Sequence, residues 1–449
     1  MHGAYRNRVY SSVFPESGNF EATLDKSNVA RLYMEGTLVN EMVVSLSHND
    51  HLIKQDDYEI GYLSTDGEML LLYVDGTEIP LALSDATPPV ETYVAGLYDI
   101  SGNLIASWDT LVSKHGLDVS KDYDVTDITG AQAEPTLLYN IIKNNPEYAN
   151  TYHVKVSNSV KNIGALALTM GDLENVKWIT IPEVVERIGD GAVASSTNLL
   201  AVTIPSTVKS VGAAVFMLSG VTTVNIPANV ENLAAGFGIW SNIKTLTVDG
   251  NNPYYKSINN AVYTKDGKKL LQGACGRNEA FVVQEGTETI CESALAFSDY
   301  ISVNIPASVI TIEDNAMEEM TKLVEVTFAP NSKLKTIGKA LFIYSGDIPT
   351  LEIPEGVTEI KDDTFTGTSI KTLTLPSTIT SISLGYDWYV DRLVLKSATP
   401  PTLPDGIRLY SATDPNGTPT IVVPKGKGEI YKTAAGWSEC ADYIVEATE

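Results

Sequence analysis

Apolar and polar positions follow a short repeat from Val156 almost to the C-terminus. A typical phrase, TIPSTVKSVGAAVF at 203–216, has strand-forming residues, then a proline, then apolar residues at uneven intervals. The prolines at positions 182, 205 and 227 are 23 and 22 residues apart, and those at 306, 330, 354 and 376 are 24, 24 and 22 apart. A period this short predicts a solenoid, in which each coil is too small for a core of its own and stacked coils share one.

Two files of aliphatic residues keep a constant offset from the proline. The first file contains Val185, Val208, Val230, Val309 and Val357, and the second contains Ile188, Val211, Leu233, Ile312 and Ile360. We expect both files to be stacked inside the coils, because regular apolar positions are what core packing requires. Catalysis or binding by these residues is the alternative. The proline is expected at the end of a strand, where the ladder needs no N–H donor.

Degenerate phrases fill the gaps between the clear ones. VSNSVKNIGALAL, from Val156, lacks the proline, and VQEGTETICESAL, from Val283, has Cys291 where glycine usually stands. We interpret Cys291 as a small buried residue of a coil. A Cys275–Cys291 disulfide is the alternative.

The first 150 residues have a different pattern. Two strand-like runs around Asp75-Gly76 predict a hairpin, and residues 1–90 as a whole are predicted to be a small β domain for attachment or oligomerisation. Residues 91–152 are predicted to be an α/β linker and N-terminal cap. Two helices are expected in this region. The first should run from near Ser107 to Gly116, and the second should carry Leu137, Leu138, Ile141 and Ile142 on one face and end at Pro146. The second helix could instead bind a partner.

The repeat resembles the BspA-like class of leucine-rich repeats, known from surface proteins of gut and oral bacteria and from phages of those bacteria. The phrase Ile-Pro-x-x-Val-x-x-Ile-Gly-x-x-Ala-Phe carries the resemblance, together with a hairpin insert at about 248–280 and a C-terminal cap at about 397–449. The resemblance implies a mainly β fold, in which residues 153–449 form a right-handed solenoid of about ten coils. The sequence departs from the family pattern in coils that have lost the usual Ala-Phe pair, such as SISLGYDWYVDRL at 381–393.

The net charge argues against two classes of binding partner. The chain has 31 basic and 56 acidic residues, which gives a net charge of −25. Nucleic acids and anionic membranes attract clustered positive charge, so neither is expected as a partner. No run of about twenty apolar residues predicts membrane insertion.

Motifs for catalysis or metal binding are weak. His48 and His51 flank Asp50 and would chelate a metal poorly, and the five histidines of the chain form no HExxH motif. Asp122, Asp124 and Asp127 could approach a calcium ion, but they lack the EF-hand spacing and its closing glutamate. We therefore predict no catalytic residue, no metal site and no cofactor. A hydrolase that uses Ser, Asp or Glu side chains outside any known motif is the alternative, and no particular residue is a candidate for its catalysis.

Exposed aromatic residues are the remaining candidates for a ligand-binding site, because they dominate many recognition surfaces. The candidates are Tyr386, Trp388 and Tyr389 in GYDWYV and Tyr254 and Tyr255 in NPYY. We predict a non-enzymatic recognition or adhesion protein that binds a host or bacterial surface protein or a glycan. The alternative is an architectural subunit of a virion or cell envelope with no host ligand of its own.

The expected location is extracellular, on a bacterial surface or a phage virion. Residues 1–20 lack the apolar core of a signal peptide. Either a leader was removed or Met1 is the native start, and the polar character of this segment favours the second. The N-terminal region is expected to bind an assembly partner or a second copy of itself.

Overall fold

The structure is a computed structural model. It describes residues 93–123, 138–383, 388–403, 409–414 and 417–448, together with the backbone of seven strands between residues 20 and 83. The chain separates into two compact units. One unit contains residues 1–108 and 150–153, and the other contains residues 109–149 and 154–449.

The first unit contains a seven-stranded sheet. Its strands are β1 (Phe20–Leu24), β2 (Val29–Met34), β3 (Thr37–Val43), β4 (Ile53–Gln55), β5 (Tyr58–Leu63), β6 (Met69–Val74) and β7 (Thr77–Leu83), in the spatial order β3-β2-β1-β7-β6-β5-β4. Only β1 and β7 pair in parallel, and the other neighbours are antiparallel. The β6–β7 pairing continues to Val74 and Thr77, which confirms the predicted hairpin. Gly96–Tyr98 and Leu104–Ser107 form a further antiparallel pair.

The second unit is a β-solenoid, and its longer strands define what we call the first side of each coil. These strands are His153–Lys155, Trp178–Thr180, Ala201–Val202, Thr223–Ile226, Thr245–Val248, Ala280–Val282, Ser302–Ile305, Glu325–Phe328, Ile348–Glu352, Ser369–Leu375, Trp388–Leu395, Thr420–Val423 and Ile444–Glu446. Neighbouring strands within each sheet pair in parallel, as in Ser302–Ile305 with Glu325–Phe328. The solenoid has about 13 turns, rather than the expected ten or so, because coils without the proline phrase at both ends continue the stack.

Two-residue strands define the second side of the coil. They are Asn162–Ile163, Arg187–Ile188, Ser210–Val211, Asn232–Leu233, Thr289–Ile290, Thr311–Ile312, Thr336–Ile337, Glu359–Ile360 and Ser381–Ile382. Strands of adjacent coils within each sheet pair in parallel, so that Ile188 lies opposite Val211 and Val211 opposite Leu233. Both predicted aliphatic files are buried, with no member more than 6% exposed, so the core prediction is confirmed.

The repeated glycine after the second side permits close contact between coils. A Cβ on Gly338 would lie 2.4 Å from the amide nitrogen of Asp314 in the preceding coil, and a Cβ on Gly189 would lie 2.7 Å from the nitrogen of Ala165. Contacts below about 3 Å require the backbone to shift, so a side chain here costs packing energy. Cys291, at the equivalent position, is buried, and its thiol is free, as are those of Cys275 and Cys440.

The hairpin predicted within the insert is present. Tyr255–Ile258, Ala261–Thr264 and Lys269–Gly273 form an antiparallel meander. The third strand then pairs in parallel with Thr289–Ile290, so the meander continues the second side of the solenoid.

Two helices precede the repeats. They are α1 (Trp108–His115) and α2 (Leu138–Asn144), and a 3₁₀ turn follows at Pro146–Tyr148. Both helices lie where the sequence predicts them. Helix α2 buries Leu138, Tyr139, Ile141 and Ile142.

Helix α2 is held to the loop after the first coil. Lys143 donates to both carboxylate oxygens of Asp172, at 2.9 and 3.0 Å, and the Tyr139 hydroxyl donates to one of them at 2.8 Å. The Tyr139 ring also covers Gly171, where a Cβ would lie 2.6 Å from a ring carbon.

The C-terminal segment closes the other end of the core. It contains α3 (Gly428–Thr433), a 3₁₀ turn at Ser438–Tyr443 and two fully buried aromatic residues, Tyr431 and Trp437. The Tyr431 hydroxyl donates to the Ser397 carbonyl at 2.9 Å, and the Trp437 indole donates to the Pro401 carbonyl at 2.8 Å. A loop of the last coils is thereby fixed to the cap.

No helix in the described part of the chain combines the length and the apolar character needed to cross a bilayer.

Candidate functional site

Most coils have a third side, between the second side and the next long strand, with its own hydrogen-bond ladder. The ladder uses the residue six positions after the glycine position. Its N–H donates to a carbonyl of the following coil, as in Phe297 to Glu318 at 2.8 Å, Glu319 to Ile343 at 2.8 Å and Tyr344 to Thr366 at 2.9 Å. Equivalent side chains on neighbouring coils are therefore held about 4.8 Å apart, the spacing of paired strands.

The third side turns sharply because two residues per coil adopt a left-handed backbone. In most coils these residues lie two and six positions after the glycine position. The pairs are Gly191 and Ser195, Ala214 and Leu218, Gly236 and Trp240, Ser293 and Phe297, Asn315 and Glu319, Ala340 and Tyr344, and Asp363 and Gly367. A non-glycine residue with positive φ is uncommon, so here the stacked ladder holds the backbone in a conformation that single residues disfavour.

The second left-handed residue of each pair lies outside the buried core, and five of these residues form what we call the aromatic stripe, which the hairpin insert interrupts between its second and third members. It contains Leu218, Trp240, Phe297, Glu319 and Tyr344. Trp240 is 45% exposed and Tyr344 is 56% exposed. The next residue along the ladder is Gly367, where a Cβ would lie 2.2 Å from a ring carbon of Tyr344, so the tyrosine ring lies across this glycine.

Stacking fixes the orientation of the indole. The rings of Trp240 and Phe297 are nearly parallel, with an interplanar angle of 14° and centroids 4.8 Å apart. The hairpin insert lies between the two coils, because the Gly236 N–H donates to the Leu271 carbonyl and the Gly273 N–H donates to the Ala294 carbonyl. The contact between the two rings therefore bridges the insert, and its spacing is that of stacked aromatic rings. Trp240 therefore presents its exposed surface with little freedom to rotate.

Two carboxylates interrupt the stripe between Phe297 and Tyr344. Glu319 belongs to the stripe, and Glu318 precedes it and accepts a hydrogen bond from the Asn315 amide at 2.7 Å. Partial burial raises the pKa of Glu318, the hydrogen bond from Asn315 opposes this effect, and the nearby charge of Glu319 adds to it. The charged form of Glu318 is thus incompletely compensated.

The stripe has no basic residue of its own. The stripe residues, those directly before them and the pairs at 194–195 and 366–367 include no lysine, arginine or histidine. The surface is therefore aromatic and acidic.

The structure places the predicted aromatic residues in different environments. Tyr254, on the hairpin insert, is 47% exposed. Tyr255 is buried, and its hydroxyl donates to the Glu231 carbonyl at 2.9 Å and accepts from the Leu233 N–H at 3.1 Å. Tyr255 thus anchors the insert to the preceding coil and presents no surface to a ligand, contrary to the expectation of an exposed residue.

The GYDWYV segment divides in the same way. Trp388 is fully buried and packs edge-on against Phe365, with centroids 5.0 Å apart, so it is a core residue and not the exposed residue that we expected. Tyr389 is 39% exposed and stacks on Tyr410, which is 40% exposed, with centroids 5.8 Å apart. Tyr386 lies outside the described residues.

Sequence reasoning missed the stripe and Tyr410. Trp240 and Tyr344 lie six residues after Ala234 and Gly338, the glycine positions of their coils. Counting six residues from that position in each repeat would have found them. Their outward direction could not be read from the sequence, because it depends on the left-handed backbone.

Within the described ranges, no group of three or more His, Cys, Asp or Glu side chains converges. Asp122 accepts a hydrogen bond from the Ala165 N–H at 2.7 Å and so joins the chain segment before α2 to a coil. Asp124, Asp127, His48 and His51 lie outside the described residues.

The three ladders, the shared aliphatic core and the two end caps define a parallel β-solenoid of the leucine-rich-repeat class. The BspA type leucine rich repeat region, with six copies, matches residues 141–265 and 267–386, and the chain belongs to this family. A search of curated proteins gave no match.

The similar solved structures include three bacterial proteins. A leucine rich cell surface protein from Faecalibacterium prausnitzii is 23% identical, with a TM-score of 0.43, over 53% of this chain and 74% of that one. A leucine-rich repeat protein from Eubacterium ventriosum is 19% identical, with a TM-score of 0.42, over 62% and 88%. The pneumococcal vaccine antigen PcpA is 14% identical, with a TM-score of 0.45, over 88% and 97%.

Proposed function

We propose that the protein is a non-enzymatic recognition or adhesion protein that binds a host protein, a bacterial surface protein or a glycan. The family suggests a surface or adhesion role based on its repeats. One observation carries the proposal: exposed aromatic side chains are held in place by ring stacking, as in Trp240 on Phe297 and Tyr389 on Tyr410.

The physical argument concerns conformational entropy. Binding requires side chains to be ordered, which costs roughly 0.5–1.5 kcal/mol for each mobile side chain. Stacked aromatic rings are already ordered, so that cost is largely met in the free protein. Aromatic residues also supply much of the binding energy where they are desolvated at the centre of an interface.

The site of action that we propose is a bacterial cell surface or a phage virion. Proteins of this family are typically found at cell surfaces. The N-terminal sheet would then bind an assembly partner or a second copy of the chain. Its outermost strands, Thr37–Val43 and Ile53–Gln55, have free edges within that sheet, and sheet edges readily pair with another chain.

The test is binding of the full chain to a glycan array and to panels of fixed bacterial and mammalian cells. We expect the variant W240A/Y344A/Y389A/Y410A to lose about tenfold or more in affinity, because alanine removes the exposed rings. The matched control V184A/I310A truncates two exposed aliphatic residues and leaves these aromatic rings unchanged, so it should bind like the native protein.

The alternative is an architectural role in a virion or cell envelope. Failure of the native chain to bind any cell or glycan would favour it and would overturn the proposal. Equal losses in the aromatic and the control variants would also count against a recognition surface.

A further inference from the structure

The aromatic stripe combines three properties that together select a class of ligand. Trp240 and Tyr344 expose ring surface, Glu318 and Glu319 supply negative charge between the aromatic residues, and no basic side chain lies among the stripe residues or their predecessors. We infer that the stripe binds a basic polypeptide segment, with lysine or arginine side chains lying over the exposed rings and pairing with the two glutamates. This inference rests on the proposed function and specifies a ligand for one surface.

Cation–π attraction supports this ligand over a neutral one. The face of an aromatic ring is electronegative, and tryptophan is the strongest acceptor of an ammonium or guanidinium group. Because Trp240 is held parallel to Phe297 at 4.8 Å, one indole face is covered and the exposed remainder keeps a fixed direction. A cation gains most from a ring that needs no reorientation.

The glutamates supply the complementary charge. Glu318 is partly desolvated and lies close enough to Glu319 for the two charges to repel each other. A bound cation reduces both penalties, because its positive charge offsets the negative charge that burial and mutual repulsion destabilise. An approaching anion would meet the opposite effect, and a neutral sugar would donate hydrogen bonds to the carboxylates without neutralising their charge.

The ladder sets the length of the segment. The Trp240 ring lies 4.8 Å from the Phe297 ring, and two ladder steps of roughly 4.8 Å each separate Phe297 from Tyr344, so the stripe between Trp240 and Tyr344 is about 14 Å long. An extended chain advances about 3.3 Å per residue, so four or five residues cover this distance. A partner segment with two or three basic residues in that length fits the stripe.

The test uses the full chain and synthetic peptides of about eight residues, which cover the stripe with a short overhang. One peptide alternates lysine and arginine with serine, and its neutral counterpart carries glutamine at the basic positions. Affinity is measured by isothermal titration calorimetry. We expect the basic peptide to bind and the neutral peptide not to bind.

Variants then separate the stripe from general attraction to an acidic protein. W240A/Y344A should weaken binding about tenfold, and Tyr344→Phe should not, because the ring face and not the hydroxyl makes the contact. E318Q/E319Q should weaken binding about fivefold. E325Q/E359Q removes the same charge from the first and second sides and should change affinity less than about twofold, because exposed charges that do not contact the peptide are screened by salt.

Equal effects of E318Q/E319Q and E325Q/E359Q, or no effect of W240A/Y344A on peptide binding, would overturn the inference. If W240A/Y344A abolishes binding to a glycan array but leaves peptide binding intact, the stripe binds sugar instead. If cells bind the native chain while the basic peptide does not, the inference fails and the proposed function stands.

Discussion

Phe342 and Tyr344 are two residues apart on the third side, yet their surroundings are opposite. Phe342 is fully buried and stacks on Phe365, with centroids 5.9 Å apart, whereas Tyr344 is 56% exposed. The residue between them marks the change from core to surface. The contrast gives a matched pair of substitutions within one coil.

We predict that F342A lowers the free energy of unfolding by about 3–5 kcal/mol, because it leaves a cavity in the shared core. Y344A should change it by less than about 0.5 kcal/mol, because an exposed side chain has little packing to lose. Urea denaturation followed by circular dichroism measures both. Similar losses in the two variants would contradict the assignment of core and surface.

Cys275 is fully enclosed, and burial raises the pKa of its thiol to about 12. The thiolate is the reactive form, so the folded protein should not react at Cys275 with iodoacetamide at pH 8, and urea should expose it. Because the folded pKa exceeds the value of about 8.5 expected for an unfolded chain, stability should also fall as the pH rises above that value. Mass spectrometry of alkylated peptides tests the first expectation, and rapid modification of Cys275 in the native state would refute it.

Single residues also show where sequence reasoning is limited. The aliphatic files could be predicted because valine and isoleucine keep a constant offset from proline. Trp388 and Tyr389 could not be separated in advance, because adjacent strand residues point to opposite faces and an eroded coil gives no marker of register. Trp388 points inward and Tyr389 outward.

Among the elements, the C-terminal cap has the clearest energetic role. Trp437 is fully buried and meets the Tyr431 ring edge-on, with centroids 5.3 Å apart, and its indole donates to the Pro401 carbonyl. In a solenoid each coil contacts only its neighbours, so the loss of a cap exposes the last coil first.

We therefore predict that W437A increases amide hydrogen exchange mainly in the strands Trp388–Leu395 and Thr420–Val423 and leaves Ser210–Val211 unchanged. Exchange measured by mass spectrometry on native and variant protein gives the comparison. A uniform increase along the whole solenoid would show that the molecule opens as one cooperative unit and would contradict a local role for the cap.

Elements with strong local signals were predictable, and those that depend on stacking were not. Caps, apolar periodicity and turn residues predict helices α1 and α2 and the hairpin of β6 and β7. The third side has no comparable signal, because its ladder joins residues more than twenty positions apart and uses left-handed residues as different as Ser195 and Trp240.

The solenoid as a whole is a stack in which parallel ladders bring equivalent residues into contact. On the first side, Asn225 lies opposite Thr247, and the Thr247 hydroxyl donates to the Asn225 side chain at 2.9 Å. The proposed recognition surface depends on this register, because Phe297, Glu319 and Tyr344 line up only if their coils keep equivalent residues opposite each other.

The most direct test of the stacked register is therefore a disulfide between coils. Paired parallel strands hold Cα atoms about 4.8 Å apart, within the range of roughly 4.4–6.8 Å that a disulfide spans. We predict that N225C/T247C forms a crosslink nearly completely under mild oxidation, whereas N225C/T327C, whose strands are not neighbours in any sheet, does not. No crosslink in the first variant, or equal crosslinking in both, would contradict the stacked solenoid and the surface that depends on it.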